Sequence, residues 1–183
     1  IPTVLAATNV QAAQFTTNWT STANTVEYLL DVATTSTFDV GTFVVQNRSI
    51  AHPLTNSLIN SGVNSGTIYY YRVRAKSNST ISDYSTTISV ITTPSATTAT
   101  NISLDSFTAN WTLVSGATSY LLDVSTDNFA TFVGTYNNLD VGSVNNFSVS
   151  GLNPSFDYQY RIRAVDGLGT VSPSSNVILV NTL

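Results

Sequence analysis

Cysteine and methionine are absent from this chain of 183 residues, and histidine occurs once. Without cysteine there is no disulfide framework, no thiolate metal site and no thiol nucleophile. Charge is also scarce. Six basic and ten acidic side chains make up 9% of the residues, against about 25% in ordinary soluble domains. Six cations and a net charge of −4 leave no basic footprint for nucleic acid. No apolar run reaches the roughly 18 residues that a membrane-spanning helix needs. Polarity comes instead from 29 Thr, 24 Ser and 18 Asn. Threonine favours strands, and serine and asparagine favour turns, so the mixture predicts a β protein with a neutral, hydrogen-bonding skin.

The chain is written twice. Phe15-Thr16-Thr17-Asn18-Trp19-Thr20 returns as Phe107-Thr108-Ala109-Asn110-Trp111-Thr112, and Tyr28-Leu29-Leu30-Asp31-Val32 returns as Tyr120-Leu121-Leu122-Asp123-Val124. Tyr69-Tyr70-Tyr71-Arg72-Val73-Arg74-Ala75 returns as Tyr158-Gln159-Tyr160-Arg161-Ile162-Arg163-Ala164. The first two blocks recur 92 positions on and the third 89, so the second copy is shorter in its middle. A repeat of about 90 residues is a duplicated domain rather than a solenoid unit. We divide the chain into 1–92 and 93–183. Both ends fall at repeat boundaries, which reads as a piece of a longer modular protein. The joint Thr92-Thr93-Pro94-Ser95-Ala96 is short and stiffened by proline, so the two units are expected end to end with little contact.

Within each copy, apolar residues alternate with polar ones. Tyr69, Tyr71, Val73 and Ala75 face one way, and Tyr70, Arg72, Arg74 and Lys76 the other. Period two with one apolar face is a half-buried strand. Turn clusters such as Asn60-Ser61-Gly62 and Asp166-Gly167 punctuate the chain, and about seven short strands per copy indicate a two-sheet sandwich.

A tryptophan ends the second strand (Trp19, Trp111), and a tyrosine follows nine residues later (Tyr28, Tyr120). Gly151-Leu152-Asn153-Pro154-Ser155-Phe156-Asp157-Tyr158 has the spacing of a tyrosine corner, and Asn176-Val177-Ile178-Leu179-Val180 is a closing strand. On these residues both copies resemble the fibronectin type III domain. The first copy departs at the corner, with Val63 for the leucine and Ser65 for the proline. The resemblance implies an all-β chain of two tandem seven-stranded immunoglobulin-like sandwiches. In the first copy it implies strands near 7–11, 14–20, 26–34, 41–46, 55–60, 68–76 and 86–92. Trp19, Trp111, Tyr69 and Tyr158 are the expected structural core.

Candidates for chemistry are few. Arg72, Arg74, Lys76, Arg161 and Arg163 all point away from the core by alternation, on the sheet that carries Asp31 and Asp123. They are expected as exposed cross-strand charge pairs, each contributing about 0–1 kcal/mol, rather than as a ligand stripe. Leu29, Leu121 and Tyr70 on that face are expected to lie under the arginine stems. His52 stands alone beside Pro53, with no Gly-x-Ser-x-Gly elbow in the chain, and reads as a loop residue. Asp127, Asp140, Asp157 and Asp166 occupy separate turns without the spacing of a calcium loop. Six Asn-x-Ser/Thr triplets, from Asn18 to Asn146, are what chance gives in so hydroxyl-rich a chain.

No catalytic, cofactor or metal residue is therefore assigned. The resemblance implies a non-catalytic structural or spacer module of a larger secreted or surface-anchored bacterial protein. Its partners would be neighbouring domains of that protein. The alternatives are an adhesion module that binds a polysaccharide or a surface protein, and an accessory domain of a polysaccharide-degrading enzyme. Under either, Tyr84, Phe132 and Tyr136 are the candidate ligand-facing residues.

Overall fold

The computed structural model describes residues 1–183, all in strands, turns and loops. The chain divides into two units, Ile1–Thr92 and Thr93–Leu183. Unit 1 runs β1 (Val4–Thr8), β2 (Phe15–Trp19), β3 (Glu27–Ala33), β4 (Phe43–Ala51), β5 (Asn56–Ile59), β6 (Ile68–Lys76) and β7 (Ile88–Ile91). Unit 2 runs β8 (Ala96–Thr100), β9 (Ser106–Trp111), β10 (Ala117–Ser125), β11 (Leu139–Asp140), β12 (Asn146–Ser150), β13 (Asp157–Asp166) and β14 (Ile178–Asn181). Each unit has a three-stranded sheet, β1-β2-β5 or β8-β9-β12, and a four-stranded sheet, β4-β3-β6-β7 or β11-β10-β13-β14. All pairings are antiparallel.

Two strands differ from the expected bounds. The first lies at 4–8 rather than 7–11, because Asn9, at φ 50°, turns the chain out of the strand. The fourth extends to Ala51 instead of ending at 46, because it pairs with β3 along its whole length across two register shifts. Its counterpart β11 keeps only two residues.

The alternating strands put their aromatic residues between the sheets. In unit 1 Phe15, Tyr28, Leu30, Val32, Ile59, Tyr69, Tyr71 and Val73 are fully buried, with Trp19 at 2% exposure. Trp19 packs on Tyr28 and Phe15 on Tyr69, with ring centroids 5.6 and 5.5 Å apart. Unit 2 repeats the first pair with Trp111 on Tyr120 at 5.6 Å, whereas Phe107 packs at 5.7 Å on Tyr160, the counterpart of Tyr71 rather than of Tyr69. The corner tyrosines hold the loops before β6 and β13. Tyr69 Oη accepts from Asn64 N at 2.7 Å, and Tyr158 Oη accepts from Asn153 N at 2.8 Å.

Hydroxyl and amide side chains complete the backbone bonding wherever strands become irregular. Ser82 and Ser85 accept from Ala75 N and Val73 N, standing in for ladder bonds before β7. Ser172 and Ser175 do the same for Ala164 N and Ile162 N before β14. Asn18 spans the irregular stretch of β1 by donating to Ala6 O, Thr8 Oγ1 and Thr16 O, and Asn110 repeats this against Thr98, Thr100 and Thr108. Thr92 and Thr182, just after the last strand of each unit, close the tyrosine corners by donating to Asn64 O at 2.6 Å and Asn153 O at 2.7 Å. Tyr71 and Tyr160 donate across the sandwich to Leu5 O and Thr97 O. Burial pushes the Tyr71 phenol up to about 12, which keeps this donor protonated.

The two tryptophans differ in one respect. Trp111 Nε1 donates to Val144 O at 2.9 Å, whereas Trp19 Nε1 is buried without a partner. Truncating either to Ala should cost its unit about 3–5 kcal/mol. Replacement by Phe separates packing from bonding. Trp111→Phe should destabilise unit 2 by about 1 kcal/mol more than Trp19→Phe destabilises unit 1, because only the former breaks a hydrogen bond. Urea unfolding followed by circular dichroism gives the comparison, and equal losses would refute it.

Candidate functional site

The densest array of charged and aromatic groups in each unit lies on the outer face of the four-stranded sheet. The register pairs Asp31 with Arg72 and Asp123 with Arg161, so alternation brings these side chains onto one face. The expectation of exposed pairs needs correction. Asp31 and Asp123 side chains are each 2% exposed, and the arginines that cover them 21% and 28%. Arg74 and Arg163 are half-buried as well.

The reason is a repeated backbone irregularity. Asn47 and Asn138 lie at positive φ, 49° and 53°, where the chain beside β3 or β10 bulges. That conformation aims their N–H groups at the carboxylate. Asp31 Oδ1 accepts from Asn47 N at 2.8 Å, and Asp123 Oδ1 from Asn138 N at 2.7 Å. The other oxygen takes the arginine Nε, at 3.1 Å from Arg72 and 3.0 Å from Arg161. Aromatic rings then cap the guanidinium groups. Arg72 has Phe38 at 4.0 Å and Tyr84 at 3.6 Å from its guanidinium carbon, and Tyr84 reaches Arg74 at 4.4 Å. Arg161 lies 4.0 Å from the Phe129 ring. Phe38 and Phe129 both hold positive φ, 56° and 64°, which is strained for a bulky side chain. At the end of the unit 1 array, Lys76 and Ser49 both bond Glu27 and hold its carboxyl below the usual range.

Such an array binds charge to charge inside the protein. It offers no free nucleophile, base or metal set. Of the residues named as ligand-facing, one lies in unit 1 and two in unit 2. Tyr84 is in unit 1 and lies over two arginines, so it is part of the array. Tyr136 is in unit 2, where its hydroxyl accepts from Ser150 N and donates to Ser150 O, tying loop to strand. Phe132 is half-buried in the same loop.

Other candidates carry little chemistry. His52 is exposed in the turn after β4, with its Nε2 3.3 Å from Ser21 Oγ and no carboxylate on the ring. A groove of about 310 Å³ between residues 22–25 and 77–82 of unit 1 is lined by hydroxyls and flanked by Ile1 and Ile81. Its hydroxyls largely satisfy one another, Thr22 with Thr25 at 2.7 Å and Ser77 with Thr80 at 2.9 Å. No group of three or more His, Asp or Glu side chains is placed to hold a metal ion.

Sequence reading missed the bulge asparagines, the Ser-x-x-Ser pairs and Phe38 with Phe129. Their signal was available. Ser82 and Ser85 recur 90 positions on, as Thr92 does, but short polar residues are so common here that the coincidence does not stand out.

Two measurements probe these carboxylates. Asp123→Asn leaves Arg161 without its anion and should cost unit 2 about 2–3 kcal/mol, somewhat under the usual loss for a fully buried pair because Arg161 keeps some water. Asp140→Asn, in exposed surroundings, should change stability by less than about 0.5 kcal/mol. Asp127 caps its turn. The Thr131 hydroxyl, then the Thr131 N–H and the Ser125 hydroxyl, hold its carboxyl down to about 2 from 3.8. Because the folded value is depressed, its contribution is complete above pH about 4 and is lost as pH falls through about 2. An NMR titration should find that low midpoint in the parent chain and a higher one, still below the ordinary value, in Thr131→Ala, which keeps the backbone and Ser125 bonds.

Residues 92–180 match the family model of the fibronectin type III domain. Among solved structures, a two-domain fibronectin type III segment of chicken tenascin aligns over 99% of both chains at 21% identity, with a TM-score of 0.47. The FN1–FN3 domains of chicken CNTN1 align with 99% of this chain and 66% of that one at 14% identity, with a TM-score of 0.41. No curated protein matches. Fibronectin type III domains serve generally as structural, spacer or binding modules of larger proteins, and no helix here is long and apolar enough to cross a membrane. Residues 92–180 match the family directly, and unit 1 repeats their strand order, tyrosine corner and buried tryptophan, so the chain is a tandem pair of fibronectin type III domains.

Proposed function

We propose that the chain is a non-catalytic structural or spacer module of a larger bacterial protein, secreted or anchored at the cell surface. One observation carries the reading. The polar groups that recur in both units are consumed inside their own unit: the aspartates by arginine and bulge N–H, the serines and threonines by backbone, the tyrosine hydroxyls by loops. A catalytic site needs tuned groups converging on a pocket. The unit 1 groove holds no carboxylate, imidazole or thiol. The partners of such a module are the neighbouring domains of the full protein.

A second reading keeps one support. Tyr84 is 36% exposed although its ring covers two arginines, and Phe132 is half-buried in a loop. Aromatic faces of this kind suit a sugar ring or an apolar side chain, as in an adhesion module or an accessory domain of a polysaccharide-degrading enzyme. Pull-down of the purified chain on cellulose, chitin and xylan separates the two readings. The spacer reading expects no retention above a control protein. Saturable binding, lost on Tyr84→Ala or Phe132→Ala, would replace it with a carbohydrate-binding one. Turnover of any glycan by the chain itself would defeat both.

A further inference from the structure

The outer faces of the two four-stranded sheets are built from the same parts, and unit 2 lacks one of them. In unit 1 the Arg72 guanidinium lies between two rings, Phe38 and Tyr84. In unit 2 its counterpart Arg161 has Phe129 alone. The paired serines fix the correspondence. Ser82 and Ser85 bond the backbone of β6 as Ser172 and Ser175 bond that of β13, so Ser174 stands where unit 1 has Tyr84. The Arg161 side chain keeps 28% of its surface in water, against 21% for Arg72.

Arg161 cannot swing away to solvate itself. Its Nε is held at 3.0 Å by Asp123, which the Asn138 N–H holds in turn. A guanidinium already fixed loses little further entropy when something covers it. Its positive, planar face attracts the electron-rich face of an aromatic ring, and more strongly once water is excluded. Beside it Leu179 pairs in register with Gln159, on the face that carries Arg161, and is 79% exposed. A diagonal neighbour on the next strand is within reach of an aromatic side chain. Unit 1 itself displays the occupant that this geometry takes, a tyrosine ring.

We propose that the side of Arg161 over which no aromatic ring lies, with Leu179 at its edge, is a docking site for a tyrosine or tryptophan side chain of a partner protein. The ring would complete in trans the three-layer stack that Phe38, Arg72 and Tyr84 complete in cis. The site goes beyond the spacer reading and does not rest on it, since retention on polysaccharide and stacking on Arg161 are separate readouts.

The test uses N-acetyl-tryptophanamide as probe and NMR of the arginine Nε–Hε groups and leucine methyls in the whole 183-residue chain. The Arg161 Hε and the Leu179 methyls should shift upfield along a saturable curve. Arg72, with a ring on each side, should shift markedly less. Ser174→Tyr supplies the missing ring from within. It should move the free Arg161 signal toward that of Arg72 and abolish the response to the probe, while Ser174→Ala keeps it. Should Ser174→Tyr fail to fold, the contrast between Arg161 and Arg72 in the parent chain still decides. Equal shifts at both arginines, a linear response, or undiminished binding by folded Ser174→Tyr would overturn the proposal. So would probe-independent pairing of two copies through Leu179 at NMR concentration.

Discussion

A carboxylate buried on the outside of a sheet is the constraint around which each domain is arranged. Asp31 and Asp123 lie on the face that should be wet, yet water hardly reaches them. Burying such a charge is costly unless it is paired and hydrogen-bonded. Here one oxygen is satisfied by an arginine on the neighbouring strand and the other by the N–H of an asparagine in a left-handed conformation. The carboxylate therefore fixes three things together: the register of the central strand pair, the place where the edge strand bulges, and the rotamer of the arginine. The strained phenylalanines follow from the last of these, since each sits where its ring can cover that arginine.

Neutral groups carry the remaining polar bonding. With so few charged residues, the chain cannot lace its irregular segments with ion pairs. It uses hydroxyls and amides, which cost little to desolvate when each finds a backbone partner. The serine pairs before the last strands, the asparagines across the irregular first strands and the threonines at the tyrosine corners all recur at equivalent places. A composition that first suggests a merely soluble surface is in large part internal joinery.

The fold was legible from sequence because its signals are strong and doubled. Tryptophan spacing, tyrosine alternation and the repeat itself point one way, and side-chain alternation placed Arg72 on the face of Asp31. What alternation does not carry is depth. It separates inward from outward, but whether an outward aspartate is exposed depends on a bulge that no periodicity encodes. Asn47 and Asn138 look like any other asparagines until their φ angles are seen. The strand bounds near Asn9 and Ala51 escaped for a related reason, since turn onset and register shifts are local backbone events. Tyr84 and Tyr136 lie outside the strands, yet they are held by contacts distant in sequence, to Arg72 and Ser150, which no local pattern signals.

The unequal edge strands bear on how the chain comes to be folded at all. Two near-copies joined by a few residues invite a strand of one to complete the sheet of the other, a characteristic failure of repeat proteins. Most strands here would be poor at telling the copies apart, since their aromatic and arginine patterns coincide. The nine residues of β4 and the two of β11 do not coincide. A partner strand seeking the wrong copy would meet an edge of the wrong length, with the bulge asparagine reached through a different loop. β3 is paired along its whole length by β4, whereas β11 pairs only two residues of β10, so at this edge the two sheets are not interchangeable.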